Sequence, residues 1–246
     1  MELTQHFLTE SDCYKAGRTI VPKGIMVHST GVAQPDPNVF LRTWNKPGVD
    51  ACVHAFVHQG GVIQSLPWRC RGWHAGTGTG GGSANNTHIS FEICEPKGHT
   101  YQGGTMVGYD AAKNAAYFAA VYQNAVDLTA LLCRTYDLDP GEDGVVICHS
   151  EGYTRGIASG HSDVMQWFPK HGKSMDDFRA DVKSALLEED DMKLYQYAAD
   201  VPEWAKASVE KALQKGVIKM DESGAMSVWE TNLQPLVWMD RAGLLG

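Results

Sequence analysis

The sequence predicts an α/β fold in which a central mixed β-sheet is flanked by helices, followed by a small C-terminal helical module. Three observations carry this. Short runs rich in β-branched and aromatic residues, bounded by Gly, Pro or Asn, recur along the first 150 positions. Segments with helical spacing of apolar residues lie between and after them. An acidic run, "EEDD" at 188–191, then separates the last stretch from the rest. A chain of 246 residues can bury one sizeable core and carry a small appendage, so the expected domains are 1–187 and 188–246.

The elements follow in order. "GIMVHST" (24–30) reads as a strand, and "PDPNVFLRTWNK" (35–46) as a short helix starting near Asp36 or Pro37. "ACVHAFVHQGGVIQSLPW" (51–68) has a Gly-Gly between two alternating stretches, a hairpin signal. "HISFEIC" (88–94) and "GVVICHS" (144–150) are further strands. From Asp110 to Tyr136, Ala112, Ala115, Ala119, Tyr122, Val126, Thr129 and Leu132 or Cys133 fall on one side of a long amphipathic helix. "MDDFRADVKSALL" (175–187) is a third helix. Beyond the acidic run, "VPEWAKASVEKALQKG" (201–216) predicts a helix with Trp204, Val209 and Leu213 on one face, stopped at Gly216. "ETNLQPLVWMDRAG" (230–243) predicts a second helix, bent or started at Pro235, so that the pair forms a helical hairpin module or a lid.

With 29 acidic against 21 basic residues the net charge is −8, which excludes the electrostatic footprint of a nucleic-acid binder and disfavours anionic membrane surfaces. No run of eighteen uncharged apolar residues is present, so no membrane span is expected. The first residues lack a basic segment followed by an apolar one, which predicts synthesis without an export signal. Six dispersed cysteines with no C-x-x-C pair exclude a zinc ribbon and read as buried thiols rather than a disulfide framework. The glycine-rich "GTGTGGGSANN" (76–86) lacks a Walker lysine and a strand-to-helix setting, so it reads as a flexible surface loop flanking a groove.

His28 and His149 each end a predicted strand, where two imidazoles can lie side by side at one edge of a sheet and suit zinc. The polar stretch after His149 offers Glu151, His161 and Asp163 as a third ligand, and spacing does not choose among them. In "HISFEIC", alternation puts His88, Ser90, Glu92 and Cys94 on one face. A carboxylate such as Glu92 inside an apolar strand is costly unless partnered or used. Glu95, beside Pro96, reads as a strand-end surface residue.

"KGIMVHSTG", "ACVHAFVHQGGVIQSLPWRCRGWHAG", "NNTHISFEICEP" and "ICHSEGYTRGIASGHSD" together resemble the zinc-dependent N-acetylmuramoyl-L-alanine amidases, the type shared by many phage endolysins and by the peptidoglycan recognition proteins. The resemblance spans residues 1–187. It implies Zn²⁺ held by His28, His149 and Asp163, Glu92 as general base and later acid, and His161 steadying the oxyanion at a position where relatives often carry lysine. It also places Trp73 and His74 in the substrate groove, while Val53 stands where relatives have a tyrosine before His54. The implied reaction is hydrolysis of the amide between N-acetylmuramic acid and L-alanine in bacterial cell-wall peptidoglycan, by an endolysin made in the host cytoplasm and released to the wall. The alternative from another class is a peptidoglycan-binding protein of the same fold without catalysis. "DVPEWAKASVEKALQKGVIK" (200–219) resembles part of an S-layer-homology unit, which implies wall anchoring; a hairpin that packs or dimerises through Trp204, Trp229 and Trp238 is the other reading.

Overall fold

In the computed structural model, which describes residues 1–190, 194–221 and 223–245, the chain divides into two compact units, Met1–Ala185 and Leu186–Gly246. Strand β1 (Leu3–Gln5) and the short helix α1 (Asp12–Lys15) open the first unit. They are followed by β2 (Gly24–Ser29), α2 (Pro37–Trp44), β3 (Ala55–His58), β4 (Gly61–Gln64) and β5 (His88–Ile93). A small hairpin, β6 (Thr100–Gln102) and β7 (Thr105–Val107), precedes the long helix α3 (Ala115–Tyr136). Then come β8 (Val146–Cys148), α4 (His149–Thr154) and α5 (Met175–Asp190).

Six of these strands form one mixed sheet in the order β1-β4-β3-β5-β2-β8. β2 lies parallel to both β5 and β8, and β3 is parallel to β5, whereas the β3–β4 hairpin is antiparallel. Central parallel strands are covered on both faces and should be continuously apolar. β2 obeys this, with Ile25, Met26 and Val27 fully buried. Helix α3 packs across β2, β3 and β4. Its inward face is Phe118, Val121, Tyr122, Ala125, Val126 and Thr129, so the expected stripe holds from Tyr122 onward. Ala112, which precedes the helix, and Ala115 and Ala119, on the side of its first turns away from Phe118, Val121 and Tyr122, are exposed instead. Helix α2 starts as its sequence suggests: Pro37 occupies the first helical position and the Asp36 carboxylate accepts from the Asn38 amide at 3.0 Å.

Two features depart from the expected pattern. The polar stretch after His149 begins not as a loop but as helix α4, whose first turn is closed by Glu151 accepting from the Cys148 amide at 3.0 Å. The glycine-rich stretch, expected to be a free surface loop, is sewn onto the turn after α4. Ala84 donates to Ile157 O at 2.7 Å and Ser159 donates to Ala75 O at 2.8 Å. Gly78 is buried against Gly156.

In the second unit, β9 (Leu194–Tyr195) pairs antiparallel with β10 (Val228–Trp229), and helices α6 (Glu203–Gln214) and α7 (Glu230–Arg241) pack together. It is therefore not purely helical; strands of two residues carry too little periodicity to be read in a sequence. The buried face of α6 is Ala205, Ser208, Val209 and Ala212, while Trp204, expected on that face, is exposed. Pro235 lies inside α7 rather than starting it. Asp240 binds both Ser208 (3.0 Å) and Lys211 (2.8 Å), tying the two helices. The expected 188–191 linker is helical through Asp190, since Glu propagates a helix and no Gly or Pro interrupts it; Asp191 lies outside the described residues.

A Cβ added at Gly78 collides with the Gly156 carbonyl, whereas one added at Gly80 meets nothing within 4 Å. Gly78→Ala is therefore expected to lower stability by about 1–3 kcal/mol in urea unfolding, and Gly80→Ala to leave it within about 0.5 kcal/mol.

Candidate metal centre and its cleft

The sheet register gathers the site. His28 stands opposite Glu92 across the parallel β2–β5 pair, and Val27 stands opposite Cys148, so His149, the next residue, emerges beside His28. These residues sit at the carboxyl ends of three adjacent parallel strands, the edge where open α/β sheets bind ligands. Asp163 opens a short 3₁₀ helix (Asp163–Gln166) with φ +44°, a left-handed backbone rare for a residue bearing a side chain. Such strain persists where the surroundings enforce it.

Asp163 Oδ2 lies 2.7 Å from His28 Nδ1 and 3.1 Å from His149 Nδ1, and the two Nδ1 atoms are 3.2 Å apart. Among the described residues this is the cluster of His, Cys, Asp and Glu side chains able to hold a metal ion. Both histidines are buried. Burial pushes the His28 pKa down, against the pull of Asp163, so a neutral ring is favoured. Burial pushes Asp163 up, but hydrogen bonds from His149 and His28 outweigh it and hold the carboxyl well below the usual range. Two imidazoles and a carboxylate thus converge on one point, a nitrogen and oxygen donor set that fits a divalent cation such as zinc. Of the alternatives that spacing left open, Glu151 is committed elsewhere: its carboxylate takes Arg179 at 3.1 and 3.2 Å.

Glu92 borders the same cleft, with its Oε2 buried and lacking a hydrogen-bond partner among the described residues. Burial raises its pKa well above the ordinary carboxylate value, and the negative charges of Asp163 and Glu95 raise it further. A buried, unpartnered carboxyl oxygen with a raised pKa is what a proton acceptor near neutral pH requires. His161 is exposed, packs edge-on against His149 with ring centroids 4.7 Å apart, and places Nδ1 3.2 Å from Ser159 Oγ. The cleft has a volume of about 580 Å³ and is walled by Trp44, Arg71, Trp73, His74, Asn85 and Ser159 among others. A second cavity of about 440 Å³ opens on the other side of His161 and Asp163, bounded by Tyr101 and the Gly103–Gly104 turn of the β6–β7 hairpin. Sequence reasoning missed that hairpin, although "YQGGTMV" carries the same Gly-Gly signal as the one read at 60–61.

Glu95 corrects an expectation. It is fully buried, because the β6–β7 segment folds over it, and its carboxylate accepts from His99 Nε2 (2.8 Å), Tyr101 Oη (2.9 Å) and the Gly31 amide (3.1 Å). Three donors satisfy a charge that would otherwise be prohibitive to bury. His54 is also fully buried and outside the cleft lining; its Nδ1 accepts from the Ser90 amide (3.0 Å) and its Nε2 donates to Cys70 O (2.8 Å). All six cysteines are free and buried.

A mixed, largely parallel sheet thus carries a metal-competent triad at its strand ends, next to a carboxyl group with a buried oxygen. The sequence profile of the N-acetylmuramoyl-L-alanine amidase family matches residues 17–170, and the chain belongs to that family. It is similar to the N-acetylmuramoyl-L-alanine amidase CwlH of Bacillus subtilis, 30% identical over 95 residues that make up 38% of this chain and 38% of the relative. The similarity to XlyA of the same organism is 31% over 97 residues, 39% of this chain and 32% of the relative. The matches thus span less than two-fifths of those relatives' lengths. Among solved structures, PlyL shares the fold with a TM-score of 0.55 and 24% identity, covering 75% of this chain and 99% of that one.

His54 gives a test of the site's electrostatic footing. Burial lowers its pKa from 6.5 to about 4. The unfolded chain therefore takes up a proton that the folded state refuses, so stability is full above pH 6.5 and falls as pH drops towards 4. The loss from this residue is about 2 kcal/mol between pH 7 and pH 5. Urea unfolding at the two pH values should show His54→Gln with a shallower loss by about that amount; equal losses in parent and variant contradict the assignment.

Proposed function

We infer that this chain is a zinc-dependent hydrolase cleaving the amide between N-acetylmuramic acid and L-alanine in bacterial peptidoglycan, acting as an endolysin-type enzyme at the cell wall. The observation that carries the reading is the convergence of His28 Nδ1, His149 Nδ1 and Asp163 Oδ2 within 3.2 Å of one another, beside the Glu92 carboxyl, whose Oε2 has no hydrogen-bond partner among the described residues. Those three residues would hold the ion. When bound, Zn²⁺ supplies Lewis acidity that polarises the scissile carbonyl and acidifies water. Glu92 accepts the proton of the attacking water and later delivers it to the departing L-alanine amine, a transfer its raised pKa suits. His161, at the mouth of both cavities, donates a hydrogen bond to the carbonyl oxygen as charge develops there. Trp73 and Trp44 offer apolar faces for the sugar and peptide on one side. Asp163 favours catalysis over a purely binding protein of the same fold, since it completes the ligand set.

Several features bear on where this would happen. Among the described residues no helix is long and apolar enough to cross a membrane. The second unit, residues 186–246, has its own core and exposes Trp204, Trp229 and Trp238, which supports a wall-anchoring role by stacking on glycan rings. Production in a host cytoplasm before release is part of the same proposal.

Three variants separate the roles. Asp163→Ala is expected to abolish both stoichiometric zinc and the release of free amino groups from cell walls, and chelation of the parent should abolish release in the same way. Glu92→Gln should keep zinc but lower turnover by about 10²–10⁴-fold. His161→Ala should lower turnover with zinc retained; loss of zinc in that variant would make His161 a ligand instead. A parent protein that carries zinc, binds walls and never cuts them would favour the binding alternative.

A further inference from the structure

A side-chain amide in the wall of the cleft is fixed at one end and open at the other. Asn85 sits in the 3₁₀ turn Ala84–Asn86, just before β5, and is only 7% exposed. Its Oδ1 accepts two backbone hydrogen bonds, from the His74 amide at 2.8 Å and the Ala75 amide at 2.9 Å. An amide NH₂ cannot accept, so these contacts fix which end is the oxygen and turn the NH₂ the other way. Nδ2 donates to no side chain or carbonyl among the described residues, and it is not one of the sealed side-chain atoms left without a partner. The open space that Asn85 borders is the cleft of about 580 Å³. Nδ2 is therefore a donor held in place for something that enters there.

The surroundings of that donor are equally fixed. Ala84 is fully buried and donates to Ile157 O at 2.7 Å, while Asn86 Oδ1 accepts from Arg71 Nε at 2.7 Å, so the turn is anchored on both sides of Asn85. Trp73, which lines the same cleft and directly precedes the His74 amide, exchanges both backbone hydrogen bonds with Cys52 at 2.9 Å. A donor and an apolar ring that are already immobile lose little freedom when a ligand arrives. Together they suit a small group that carries a carbonyl oxygen and a methyl, and an acetamido substituent is such a group. Resting on the hydrolase reading above, we propose that Asn85 is a specificity-determining residue: its Nδ2 donates to the carbonyl oxygen of the 2-acetamido group on the muramoyl sugar, with the acetyl methyl against Trp73. A carbonyl of the stem peptide is the competing acceptor.

The test measures binding by calorimetry to the full chain carrying Glu92→Gln, so that ligand is not consumed. The probes are N-acetylmuramoyl-L-alanyl-D-isoglutamine and its 2-deoxy analogue, which lacks the acetamido group. With Asn85 in place, the acetamido probe should bind about 10- to 100-fold more tightly than the analogue. Asn85→Asp keeps an oxygen for the two backbone amides and removes only the donor, so the ratio of the two affinities should fall to within about threefold. Taking the ratio cancels any effect of the new charge that both probes feel. An unchanged ratio in a folded Asn85→Asp chain overturns the proposal, including the case in which both probes weaken equally because a stem-peptide carbonyl was the acceptor. Equal affinities for the two probes with Asn85 in place overturn it whether or not the variant folds. A chain that discriminates as expected, yet releases no free amino groups from cell walls when Glu92 is restored and zinc supplied, would remove the hydrolase reading and leave Asn85 as an acetamido-binding residue.

Discussion

The structure of the first unit turns on the mutual approach of three electron-pair donors. His28 Nδ1, His149 Nδ1 and Asp163 Oδ2 stand 2.7 to 3.2 Å apart, closer than lone pairs tolerate unless a cation or proton sits among them. Everything nearby pushes them together. Parallel pairing of β2 with β8 sets the two histidines side by side, and an apolar strand interior leaves them buried. The left-handed backbone at Asp163 returns the chain so that its carboxylate meets both rings. Strain and desolvation at the site are offset by the sheet and by the packed glycine-rich segment, which holds Ser159 against His149 at 3.2 Å.

A second constraint is the crowding of negative charge. Glu92, Glu95 and Asp163 act on one another, and the first two have raised pKa values through burial. The fold deals with each differently. Glu95 is surrounded by His99, Tyr101 and the Gly31 amide, and so serves as a pin between the β6–β7 hairpin and the loop that follows β2. Asp163 has the two imidazoles. Glu92 keeps one oxygen without a partner among the described residues, and this difference in satisfaction sets it apart from the fully bonded Glu95.

The pattern of what could be read from the sequence has physical reasons. The strands bearing His28 and Glu92, and the strand that leads into His149, were legible because buried parallel strands need unbroken apolar runs, and a polar residue inside or just after such a run stands out. Spacing alone did not single out Asp163 as the third member of the cluster, since the intervening segment is a helix, a turn and a left-handed residue rather than a uniform loop. Glu95 was misread because only the fold of the β6–β7 hairpin above it makes that position interior. In the second unit the helices were readable and β9 and β10 were not, and the exposed position of Trp204 reflects a helix face chosen by packing rather than by the largest side chain.

The central claim is a shared cation position, and X-ray anomalous scattering recorded on either side of the zinc absorption edge addresses it directly. The account requires one strong difference peak bonded at about 2.0–2.2 Å to Nδ1 of His28, Nδ1 of His149 and an oxygen of Asp163. A peak held by other residues, or none in crystals grown with zinc, would contradict it.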